Sequence, residues 1–187
     1  ARLLLLVAVS VGTVSCSSDP LTQLIVVVDT NLGVPGQIDA IRIDIDGVGM
    51  PRGGTAQLTG SDAIALPVTL ALLQTGDSLG PFEVRATGLR GTSEVVSRTA
   101  RVSFVSQRTV ILRMDLLSSC VSVACGTGMT CGDNGCRSVL VGPEELAPWE
   151  GTPDRLDAAV TDMWMDRVDG GMDADIVTSS IKKVCEA

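Results

Sequence analysis

Four of the chain's six cysteines, Cys120, Cys125, Cys131 and Cys136, stand in the spacing C-x4-C-x5-C-x4-C, and their thiols are the most reactive groupings in the sequence. Four thiolates can close a tetrahedral zinc site, but zinc ribbons and fingers open with closer C-x2-C pairs. Redox exchange calls for C-x-x-C, which is absent. Two disulfides are the third chemistry, suited to a segment too small to build an apolar core. Asn134-Gly135 supplies a tight turn between the last two cysteines, and Gly126 and Gly128 relax the preceding loop. Of the three pairings open to four cysteines, the interlaced one, Cys120 to Cys131 with Cys125 to Cys136, best cross-links so short a stretch. Disulfides are therefore expected, and no metal.

The compartment follows from the other end of the chain. Arg2 precedes an apolar run, Leu3 to Val14, that is too short to span a bilayer and ends in small residues before Cys16. Residues 1–15 read as an export signal, and export favours oxidised cysteines. With Ala1 where an initiator methionine would stand, the gene product is expected to begin further upstream. Thr13-Val14-Ser15-Cys16 resembles the lipobox of bacterial lipoproteins, with Thr13 where those families usually carry leucine. The resemblance implies acylation of the Cys16 thiol, cleavage before it and a membrane partner reached through a palmitate-type lipid anchor. Ser17, rather than aspartate, after that cysteine is similar to lipoproteins sorted to an outer membrane. If Cys16 is acylated, Cys185 is odd; if not, the two could join the ends of the mature chain.

Composition removes whole classes of function. The chain has no histidine and no tyrosine, and aromatics make up 2% of it. Ser-His-Asp and Cys-His catalysis are excluded, and aromatic platforms for sugars or bases are poorly supplied. A net charge of −8 argues against nucleic acid. From Gly142 onward there are eleven acids and four bases, a net of −7, so the region before it is close to neutral. No pair of carboxylates can be placed for hydrolysis, and no cofactor is expected.

The elements that would carry these groups read as strands. Leu24-Ile25-Val26-Val27-Val28 is a continuous β-branched run of the kind covered on both faces. Ala40 to Asp46 alternates, with isoleucines on one face and Arg42, Asp44 and Asp46 on the other. Ile64 to Leu72 alternates around Pro67, whose missing amide predicts an edge strand. Phe82–Thr87, Val96–Phe104 and Val110–Leu116 alternate as well, with Val105–Arg108 short enough for a hairpin between the last two. A short strand near Thr55–Leu58 brings the count to seven. The expected fold is an all-β, antiparallel β-sandwich of Ig-like or Greek-key type over residues 22–117. It follows a signal at 1–15 and a tether at 16–21, and precedes a cysteine-rich module at 118–138 and an acidic tail at 139–187.

Within the tail, Thr152 can cap a helix with Pro153 at its first position and Asp154 in its first turn. Leu156, Ala159, Val160, Met163, Trp164 and Val168 fall at helical spacing, so a short amphipathic helix is expected near 153–169. Its stripe, Leu156, Val160, Met163 and Trp164, would dock on the parent domain or bind a partner. Asp169, Asp173 and Asp175 lack the order of an EF-hand loop and read as an acidic linker rather than a calcium site.

The succession of Cys16, the runs beginning Leu24-Ile25-Val26-Val27-Val28-Asp29 and Ile41-Arg42-Ile43-Asp44-Ile45-Asp46-Gly47, the Val102-Ser103-Phe104 strand and the cysteine segment ending Cys136-Arg137 resembles predicted surface lipoproteins of myxobacterial type. The cysteine segment by itself is similar to half of an EGF-like module. The lipoprotein resemblance implies an exported, envelope-attached β-domain with no catalytic role, whose partner would be an envelope protein or glycan. The competing expectation is a secreted or surface adhesion protein, using the Trp164 stripe or a calcium-rigidified loop; an enzyme ranks last.

Overall fold

The computed structural model describes residues 21–47 and 52–150. Seven strands follow in order: β1 (Gln23–Thr30), β2 (Ala40–Asp46), β3 (Arg52–Gln57), β4 (Val68–Leu73), β5 (Phe82–Arg90), β6 (Ser93–Val102) and β7 (Thr109–Leu116). A 3-10 turn at Ser118–Cys120 then leads into the hairpin β8 (Met129–Gly132) and β9 (Gly135–Ser138), and a two-residue strand β10 (Ala147–Pro148) ends the described fold. Two four-stranded sheets, ordered β10-β7-β1-β4 and β3-β2-β5-β6, face each other, and β8-β9 forms a small third sheet.

The alternation read from the sequence sets the two inner faces. Leu24, Val26 and Val28 of β1 meet Ile41, Ile43 and Ile45 of β2 across one apolar core, filled by Phe82, Val84, Val110, Leu112 and Met114. Each large aliphatic or aromatic side chain so buried contributes roughly 1.5–3 kcal/mol. The only two phenylalanines of the chain pack together, Phe82 against Phe104, with ring centroids 4.9 Å apart and planes tilted by 41°. At Gly88, on the inward face of β5, an added Cβ would lie 3.0 Å from Val96 Cγ1 on the neighbouring strand, 3.3 Å from Ile38 Cγ2 and 3.5 Å from Leu116 Cδ1 of the facing sheet, so the core leaves no room for a side chain there.

β4 is the edge of its sheet, as expected, although Pro67 stands immediately before the strand and takes no part in its ladder. The ladder there is shorter than the alternation implied: it begins at Val68 rather than Ile64. The all-β sandwich expected from the sequence is present, with one strand pair outside its antiparallel pattern. β1 and β7 pair in parallel, from Gln23 opposite Thr109 to Thr30 opposite Leu116, whereas every other strand pair among the described residues is antiparallel. First and last strands of a sandwich share no connecting turn, and a buried, apolar pairing surface accepts either direction. Nor is Val105–Arg108 a hairpin turn, because β6 and β7 belong to opposite sheets. The segment arches between the layers, with Gln107 at φ 56° and its amide donating to Thr22 Oγ1 at 2.8 Å.

Candidate functional site: the disulfide-stapled edge

The arch from β6 to β7 brings the outer edges of both sheets to one side of the sandwich, where β6 and β7 would each present unpaired backbone groups. Residues 118–149 run over that side. Leu117 O accepts from the Cys120 amide in the 3-10 turn, and Asn31 Oδ1 accepts from the Ser118 amide at 2.7 Å, tying the turn to the end of β1. The β8-β9 hairpin then lies against β6: the Thr99 amide donates to Thr130 Oγ1 at 2.9 Å. Val139 to Val141 continue the cover, with the Arg101 amide donating to Val139 O at 2.6 Å and the Val141 amide to Arg101 O at 3.0 Å. The chain turns at Pro143–Glu145 and enters β10, antiparallel to β7, with Pro148 opposite Val110. Residues 139–149, counted by sequence with the acidic tail, are therefore part of the sandwich edge.

Both disulfides are present and interlaced. Cys120 pairs with Cys131, Cα atoms 5.7 Å apart, and Cys125 with Cys136, Cα atoms 5.6 Å apart. They are not equivalent. Cys120 and Cys131 are 6% and 8% exposed and join the sandwich core, while Cys125 is half-buried and Cys136 exposed. The first bond staples the segment into the core, and the second ties Cys125, which packs against that core, to the exposed Cys136. Such bonds form in oxidising compartments, so the chain is not a resident of the reducing cytosol. No helix among the described residues is long and apolar enough to cross a membrane.

The electrostatics of this edge are built in pairs. Arg98 stands on the inward face of β6, opposite Ala86, and reaches Asp115 O at 3.4 Å. Burial lowers its guanidinium pKa, an effect opposed by the nearby Asp115 carboxylate. An inward-pointing charge on an edge strand discourages wrong pairing, a device of natural sheets. Arg137, on β9, pairs with Glu145 beyond the turn, and this hydrogen bond, with help from the Gly142 amide, holds the Glu145 carboxyl below its ordinary value. On the outer face of the other sheet, Glu94 is lowered by Ser97 and then by Arg85, whose guanidinium lies 2.9 Å away.

Shallow clefts open on the surface of the described residues. One of about 350 Å³ is lined by Asp44, Asp46, Arg52, Glu83 and Arg85, and its mixed charges partly neutralise each other. Another, of about 260 Å³, lies between Pro81, Phe104, Leu140 and Pro143 beside the stapled edge. No group of three or more His, Cys, Asp or Glu side chains that could hold a metal is found among the described residues. The sequence-predicted Cys16, Cys185, the Asp169–Asp175 segment and the stripe Leu156, Val160, Met163 and Trp164 lie outside the described residues. Sequence reasoning missed the participation of Thr130, Asn31 and Arg98, since nothing in their local patterns marks a contact made across the fold. Comparison with protein-family models, curated proteins and solved structures finds no match.

Proposed function

We propose that this chain is a non-catalytic cell-envelope lipoprotein, anchored at the outer membrane through an acylated Cys16 and displaying its sandwich as a binding or scaffolding module for an envelope protein or glycan. The observation that carries the reading is the interlaced disulfide pair, which requires an oxidising compartment. The leader ending at Cys16 supplies both export and a reason for attachment. The absence of histidine from the sequence is consistent with binding rather than acid-base turnover. Function then resides in the displayed surface, as it does wherever one fold hosts many roles.

The test is a non-reducing intact mass of the protein from a membrane fraction, with thiol labelling. A chain beginning at an acylated Cys16, with four cysteines oxidised and Cys185 free, is the expected result. A soluble, unacylated product without a free thiol would overturn the anchor and favour a secreted adhesion protein with Cys16 bonded to Cys185.

A further inference from the structure

A sheet edge whose backbone groups are left open is a template for another strand. Among the described residues β6 is bonded at its edge by Val139 and Val141, β7 is covered by β10, and β3 carries Arg52, Gly53 and Gly54 with no large apolar side chain. β4, with the sequence Val68-Thr69-Leu70-Ala71-Leu72-Leu73, has neither charge nor cover among the described residues, where it pairs with β1 alone. The phase of its backbone follows from the flanking bonds. The Gln74 amide donates to Thr22 O at 3.1 Å, while the Gln23 amide turns the other way, to Arg108 O on the β7 side, at 3.0 Å. Val68, Leu70 and Leu72 therefore direct their N–H and C=O groups to β1, and Thr69, Ala71 and Leu73 direct theirs outward. No hydrogen bond among the described residues reaches those outward groups. The side chains divide with the same period: Leu70 and Leu72 pack on the rim of the core, still partly exposed, and Leu73 on the other face is 53% exposed.

We infer that β4 is the seam of a symmetric dimer, in which a second copy of this chain adds its own β4 antiparallel at this edge. The edge is complementary to itself in backbone, side chains and charge. With the two-fold axis at Ala71, the outward backbone groups of Thr69, Ala71 and Leu73 face those of the second copy's Leu73, Ala71 and Thr69, so each open donor meets an open acceptor. The same register keeps every side chain on its own face. Leu70 lies opposite the second copy's Leu72, extending both cores, and Thr69 lies opposite its Leu73, with the small Ala71 at the axis. No charge meets a like charge, since the strand has none. The two four-stranded sheets become one continuous sheet across the axis. A foreign peptide would need only an extended backbone and could take any register, whereas the match of β4 to its own reverse about Ala71 selects a second copy.

The experiment is sedimentation velocity of the full chain over a wide concentration range, in excess detergent and with free thiols alkylated, so that neither an acyl chain nor a disulfide between copies can mimic strand pairing. A dimer that dissociates on dilution is the expected result. Thr69→Lys/Leu73→Lys sets like charges opposite each other across the seam and should weaken the dimer about tenfold. Thr69→Lys/Leu73→Glu sets lysine against glutamate in the same register and should retain it. Within one chain the two positions lie about 13 Å apart, too far to pair. Ala71→Pro removes only an outward amide, so it should abolish pairing while far-UV circular dichroism keeps the strands; if it unfolds, the lysine and glutamate variants decide. Hydrogen exchange adds a second readout: the amides of Thr69, Ala71 and Leu73 should be protected in the dimer and open in the dilute monomer. A chain that stays monomeric overturns the inference, as does a dimer that the lysine pair leaves unchanged or that both charge variants weaken equally. Protection of those three amides in a monomer would assign the edge to another segment of the same chain and equally overturn it. The result is independent of whether Cys16 is acylated.

Discussion

At the scale of single residues, the structure distinguishes side chains that the sequence presents as equivalents. The four clustered cysteines look alike in spacing, yet only Cys120 and Cys131 belong to the core. Each bond closes a loop of sequence separation 11, which the chain-entropy model values at about 3 kcal/mol. Replacing Cys120 and Cys131 by alanine also removes buried packing, so urea unfolding should show it costing about 1–2 kcal/mol more than the Cys125→Ala/Cys136→Ala pair. Equal losses would mean that the core gains nothing from the inner bond. Acid stability is set by carboxylates of the same kind. Glu94 and Glu145 are held below their ordinary values in the fold. Their contribution is therefore complete above the unfolded-state pKa and disappears as pH falls through the lowered folded one, a window beginning below about pH 5. Both are largely solvent-accessible, so the effect is small. Glu145→Gln should lower the neutral plateau of a melting-temperature profile slightly and leave its acid end unchanged, so that the acid limb becomes shallower.

At the scale of elements, an edge strand must be paired, covered or charged, and this chain uses all three devices. β6 is paired by Val139–Val141, β7 by β10, and Arg98 points inward. Val141→Pro would remove the amide that donates to Arg101 O and uncover the β6 edge. Light scattering on heating should rise earlier for this variant, with the core strands initially intact. Gly88→Val tests the inward face of the same sheet. Its Cβ position already touches Val96 and Ile38, so overpacking should cost about 1–3 kcal/mol in denaturant unfolding. β1, β2 and the edge position of β4 were legible from alternation, β-branched runs and Pro67, because each is a local consequence of which face a side chain takes. The parallel β1-β7 pair and the arch at Val105–Arg108 were not, because strand direction and sheet membership depend on partners far away in sequence.

At the scale of the whole molecule, the cysteine segment is not an appended module but the closing wall of the sandwich. Reduction should therefore proceed in two stages. Cys136 is exposed and Cys120 and Cys131 are nearly buried, so mild reductant followed by alkylation and mass analysis should yield a species carrying two labels, on Cys125 and Cys136, before one carrying four. Simultaneous appearance of all four labels would mean that the wall opens as a unit.

The sequence by itself determined the all-β class, the alternating strands of the sandwich, the presence of a clustered set of four cysteines and the exclusion of histidine-based chemistry, because these depend on residue identity and local periodicity. Only the tertiary structure decided that β1 and β7 run parallel, that Thr130 and Asn31 bind the cysteine segment down, and that residues 139–149 seal both sheet edges. Those contacts join positions up to 87 residues apart, and their selection rests on which surfaces remain open once the core has closed, a property that no single segment carries.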